Sequence, residues 1–154
     1  MNRRQFLAVS CPGAVLSTAG CLSLFDSTVQ LGGLSVVNYD NESKEVEIRV
    51  IKGGTTLRES TIELPETDDP TVSTAERKPV ECTWDDDDGE YVIEASVSGG
   101  ELNSFEVAEN VEDDCVAVEI EVYQDDTVNY STTSCSGLAP GRRETPWGCP
   151  FLEE

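Results

Sequence analysis

From Leu31 onward, apolar and polar residues alternate with a period of two. Val46, Ile48 and Val50 are separated by Glu47 and Arg49. Tyr91, Ile93, Ala95 and Val97 alternate with Val92, Glu94 and Ser96, and Val116, Val118, Ile120 and Val122 alternate with Ala117, Glu119 and Glu121. Such alternation describes strands with one buried and one wet face. Further strands are predicted at 34–39, 55–64, 79–84, 104–108 and 127–135. Turn signals separate the runs: Asp40-Asn41, Gly53-Gly54, Asp68-Asp69-Pro70, Asp88-Gly89, Gly99-Gly100 and Asp125-Asp126. No segment carries a helical stripe. Seven to eight short strands at this spacing predict an all-β, antiparallel β-sandwich.

The first twenty-one residues break this rhythm. Arg3 and Arg4 form a twin-arginine pair, and an uncharged stretch from Phe6 to Gly20 leads to Cys21. That stretch is shorter than the roughly 20 residues a helix needs to cross the hydrocarbon core, and Pro12 and Gly13 interrupt it. It reads as a cleavable signal segment. Ser17-Thr18-Ala19-Gly20-Cys21 supplies small residues before a thiol and resembles a lipobox, which implies cleavage before Cys21 and lipid attachment to it.

Charge adds a second constraint. The chain of 154 residues holds 31 Asp and Glu, 10 Lys and Arg, and no His, for a net charge of -21. Loss of Arg3 and Arg4 with the leader takes this to -23. A nucleic-acid partner is excluded, because phosphate neutralisation requires clustered cations. Without imidazole there is no Ser-His triad, Cys-His pair, blue-copper centre or ordinary catalytic zinc. No cofactor is expected. An acidic coat of this density fits molar salt, where a Debye length of about 3 Å screens self-repulsion. Leader, lipobox and charge balance together resemble those of haloarchaeal surface lipoproteins, which implies twin-arginine export and anchoring outside the cytoplasmic membrane.

Asp87-Asp88-Gly89-Glu90-Tyr91 resembles the Asp-x-Gly-x-Tyr approach to the sixth strand of immunoglobulin-like (Ig-like) domains, in which the Tyr hydroxyl ties the preceding loop back to its own backbone. Leu34 to Asn38 followed by Val46 to Val50 also resembles Ig-like modules of archaeal surface proteins. Ile93 stands where antibody domains place a Cys, so the resemblance implies the Ig-like sandwich without the antibody disulfide. The expected organisation is a signal peptide at 1–20, a lipidated tether at 21–30, the Ig-like sandwich at 31–135 and a Cys-containing tail at 136–154.

With Cys11 in the leader and Cys21 lipidated, Cys82, Cys115, Cys135 and Cys149 remain, an even set suited to an oxidising exterior. If Val122 faces Val128 across the Asp125-Asp126 turn, Ile120 faces Tyr130, Val118 faces Thr132 and Cys115 lands opposite Cys135, both pointing away from the core. This register favours Cys115 with Cys135 and Cys82 with Cys149. The competing scheme joins Cys82 to Cys115 and Cys135 to Cys149. A four-thiolate zinc site lacks the Cys-x-x-Cys spacing it needs.

Asn41-Glu42-Ser43, in a turn, and Asn129-Tyr130-Ser131, on the outward face of the last hairpin, are N-glycosylation sequons. Asp85, Asp86, Asp87 and Asp88 supply hard oxygens of the kind Ca²⁺ prefers, but consecutive side chains cannot converge on one ion, and a solvated acidic turn is the expectation. Trp84 and Tyr91 are expected in the core. Arg142, Arg143 and Trp147 lie in the tail. The functional expectation is a lipid-anchored, non-catalytic surface module that binds or supports, attached to the membrane and open to a protein partner. The alternatives are an accessory subunit of an envelope or transport complex, docking through the tail, and a hydrolase working by carboxylates alone.

Overall fold

The computed structural model describes residues 27–67, 75–138 and 148–153. Eight strands form: β1 Gln30–Asn38, β2 Lys44–Lys52, β3 Thr55–Leu64, β4 Arg77–Pro79, β5 Tyr91–Val97, β6 Asn103–Glu106, β7 Cys115–Val122 and β8 Val128–Ser134. They build two four-stranded sheets, ordered β4-β1-β7-β8 and β3-β2-β5-β6. Short 3₁₀ turns are the only helical elements among the described residues, and none is long and apolar enough to cross a membrane.

The alternating residues face each other. Val36, Val116, Val118, Ile120 and Val122 of the first sheet share one buried cluster with Val46, Ile48, Val50, Tyr91, Ile93, Ala95 and Val97 of the second. Each fully buried Val or Ile contributes about 1.5–3 kcal/mol over exposure, so this shared layer binds the two sheets into a sandwich-like unit. Trp84 and Tyr91 both lie in the core.

One expectation is corrected: the first sheet is mixed, not antiparallel throughout. β1 pairs parallel with β7, with Leu34 opposite Val118 and Val36 opposite Ile120. Alternation within a strand carries no sign of chain direction, and connectivity decides it. β5 runs away from the end of the sandwich that holds Val29 and Gln30, and β6 returns to it. β7 therefore starts beside the start of β1: the Gln30 amide donates to the Asp114 carbonyl at 2.8 Å.

Two boundaries move as well. Val29 is buried and pairs with Gly89, and Gln30 opens β1, so the folded unit begins before Leu31. The segment predicted as a strand at 79–84 contributes only its first residue to one, because beyond Pro79 its groups serve other contacts. The Val80 amide donates to the Leu34 carbonyl at 2.9 Å, and the Trp84 indole N–H donates to the Leu31 carbonyl at 2.7 Å.

Candidate functional site

The sandwich has two chemically different ends. At the end where β1 starts, Cys115 is bonded to Cys135 and Cys82 to Cys149. The last hairpin carries the register read from the sequence, with Val122 opposite Val128, Ile120 opposite Tyr130 and Val118 opposite Thr132, and its continuation brings Cys115 to Cys135. Its turn is tight enough to put Asp125 and Asp126 in the left-handed region, at φ of 60° and 59°. Asp, with its short polar side chain, tolerates that conformation better than most residues.

Both bridges meet at Gly32, the bulged residue of β1. A Cβ there would run into the Cys135 sulfur and lie 3.1 Å from that of Cys115. The Cys149 amide donates to the Gly32 carbonyl at 2.7 Å, and Gly148 pairs with Gly33. Cys149 is buried and Phe151 packs against the core, so residues 148–152 are stitched into the domain.

The Asp85–Asp88 loop lies at the same end and is held through its backbone. The Gln30 side-chain amide donates to the Asp86 carbonyl at 2.8 Å. Lys52 reaches the Asp85 carboxylate at 3.2 Å and the Asp87 carbonyl at 3.3 Å. The Tyr91 hydroxyl donates back to the Asp87 carbonyl at 3.4 Å, four residues upstream. The Lys52 hydrogen bond holds the Asp85 carboxyl below its ordinary pKa, while burial pushes the Tyr91 hydroxyl up. Among the described residues no three carboxylate or thiol groups gather as a metal-ligand set.

At the opposite end, the turn after β1 meets the turn after β7. The Tyr39 amide donates to the Val122 carbonyl at 2.8 Å, and the rings of Tyr39 and Tyr123 stack at 5.2 Å. Lys44 is nearly buried and sits between Asp126 at 2.7 Å and Asp40 at 3.0 Å. Hydrogen bonds to Asp126 and Asp40 hold its pKa well above the lysine range, and the same ammonium holds Asp40 below the carboxylate range. Burial, with Glu121 hydrogen-bonded to it, pushes the Tyr123 hydroxyl up to about 12. Asn41 is exposed in this turn, as are Glu42 and Ser43. Asn129 is exposed on β8, with its side-chain amide donating to Glu121 at 2.9 Å.

The sequence makes cations scarce, and the fold uses each one as a cross-link, which no local signal announces. Lys44, Arg49, Lys52, Arg58, Arg77 and Lys78 are all the Lys and Arg of the described residues. Arg49 spans three strands, 2.9 Å from Glu59 and 3.3 Å from Glu94. Arg58 pairs with Glu81 at 3.2 Å, Lys78 donates to the Glu63 carbonyl at 2.8 Å, and Arg77 pairs with the largely buried Glu119, which also accepts from the Ser35 hydroxyl. Glu47, Glu59 and Glu94 surround Arg49 in a shallow concavity of about 260 Å³ on the outer face of the second sheet.

Arg3, Arg4, Cys21, the Asp68-Asp69-Pro70 turn, Arg142, Arg143 and Trp147 lie outside the described residues. Comparison of the chain with protein families, with curated proteins and with solved structures finds no match.

Proposed function

We propose that this chain is a lipid-anchored extracellular surface protein whose Ig-like sandwich serves as a non-catalytic binding or structural module at high salt. The observation that carries the reading is the pair of disulfides, Cys82–Cys149 and Cys115–Cys135. Such bonds persist in an oxidising, extracytoplasmic setting and are reduced in the cytosol. The twin-arginine pair and Cys21 supply the export and attachment that such a location needs. The hydrogen bond from Tyr91 back to the loop before its strand supports the Ig-like assignment. So does the placing of β5 between β2 and β6. Glu59 and Glu94 are both ion-paired to Arg49, which supports a structural use of the carboxylate-lined concavity they share.

Cys21 is eight peptide steps from Val29, a span of at most ~28 Å. The anchor would therefore attach at the disulfide end of the sandwich, the end opposite the Asn41 turn. Affinity capture from salt-solubilised membranes of the native cells tests the role. A module acting alone is recovered without a stoichiometric partner. Recovery with a permease or other envelope subunit in fixed ratio would overturn this reading in favour of the accessory-subunit alternative.

A further inference from the structure

We propose that Asn41 is an N-glycosylation site of the folded protein and that Asn129, although it also heads a sequon, is passed over. The proposal rests on the extracytoplasmic reading above. Both sequons lie near the end of the sandwich opposite the disulfides, since Asn41 follows β1 and Asn129 is the second residue of β8, just past the turn that follows β7. The fold treats them differently.

Asn41, Glu42 and Ser43 are all exposed and belong to the link between β1 and β2, outside either strand. The backbone amide of Asn41 is fixed by the Asp40 carboxylate at 2.7 Å, which leaves the segment presented from a firm base. The Lys44 clamp on Asp40 and Asp126 holds that base in turn. A transferring enzyme can take up these three residues without breaking a strand pairing.

Asn129-Tyr130-Ser131 lies within β8, where each residue is paired with β7, opposite Glu121, Ile120 and Glu119. The Asn129 nitrogen that would accept the sugar already donates to Glu121 at 2.9 Å. The central Tyr130 stacks on Phe105 at 4.8 Å between centroids and donates its hydroxyl proton to the Asn103 carbonyl at 3.0 Å. Modification there requires β8 to peel away from both sheets.

The donor class is an oligosaccharide linked through phosphate to a lipid. A bond forms between sugar C1 and Asn41 Nδ2, and the C1–O bond to phosphate breaks with its electron pair leaving on the phosphate. The proton lost from the amide nitrogen offsets the extra negative charge left on the departing phosphate. The Ser43 hydroxyl completes the recognised triplet.

The test is mass spectrometry of digested full-length protein from its native membranes, comparing wild type, N41Q, S43A and N129Q. The expected result is a sugar increment on the Asn41 peptide in wild type and N129Q, its loss in N41Q and S43A, and an unmodified Asn129 peptide throughout. A bare Asn41 in a chain that begins at lipid-modified Cys21 would overturn the glycosylation proposal alone. Sugar on Asn129 would overturn the selection by the fold. A bare Asn41 in a chain that still carries Met1 would overturn the extracytoplasmic reading together with the proposal.

Discussion

Replacing Cys82 and Cys149 together by Ala probes the clamp that ties the last residues to the sandwich. The bond closes a loop with a sequence separation of 67, inside which Cys115–Cys135 closes a loop of 20. With the inner bond intact, the unfolded chain is shorted across it, so the outer bond effectively constrains the difference between the two separations. The chain-entropy relation then assigns the outer bond about 4 kcal/mol and the inner one about 3 kcal/mol. Alanine avoids burying a new hydroxyl at Cys149, which is 1% exposed. For a domain of this size 4 kcal/mol corresponds to roughly 12–20 °C in melting temperature. Urea unfolding in molar salt should therefore show a loss of about 4 kcal/mol for C82A/C149A and a smaller loss for C115A/C135A. Alkylation of the first variant should find Cys115 and Cys135 still bonded to each other. A loss below about 1 kcal/mol, or free thiols at Cys115 and Cys135, would show that the outer bond does not constrain the unfolded chain in this way.

Three other outcomes follow from the same contacts. Gly32→Ala forces a methyl into the sulfurs of Cys135 and Cys115 and should cost about 1–3 kcal/mol, whereas Gly148→Ala meets only Leu152 at 3.6 Å and should leave the melting temperature nearly unchanged. Asp40 is more acidic in the folded chain than in the unfolded one, so its contribution is present above the ordinary carboxylate pKa of about 4 and is lost as pH falls through its lower folded value. Lys44→Gln should flatten that acid limb of the stability profile, and an unchanged limb would place the pH dependence elsewhere. Dilution from molar salt to about 0.1 M lengthens the Debye length from about 3 to 10 Å and should lower the melting temperature of a chain with net charge -21; no change would count against adaptation to salt.

What the chain declares locally, the fold follows. The β7–β8 hairpin was legible because a short turn and a period of two leave one register that keeps Val118, Ile120 and Val122 inward, and that register carries Cys115 to Cys135. Tyr91 was legible for a similar reason: its tie to Asp87 spans only four residues. The parallel pairing of β1 with β7 was not, since strands 80 or more residues apart leave no trace of relative direction in their own alternation. Lys44 meets Asp126 across 82 positions, and in a chain this rich in acids no pattern singles out one partner. The early end of β4 escaped detection because Val80 and Trp84 spend their hydrogen bonds on β1 singly, outside a ladder.

We propose that this sandwich works outside the cell, held to the membrane through Cys21. Intact-mass and terminal-peptide spectrometry of protein taken from native membranes tests it most directly. The expected result is a chain that starts at Cys21, carries a lipid mass on that residue and has no free thiol among Cys82, Cys115, Cys135 and Cys149. A chain that retains Met1, with Cys21 unmodified and the four thiols reduced, would contradict it.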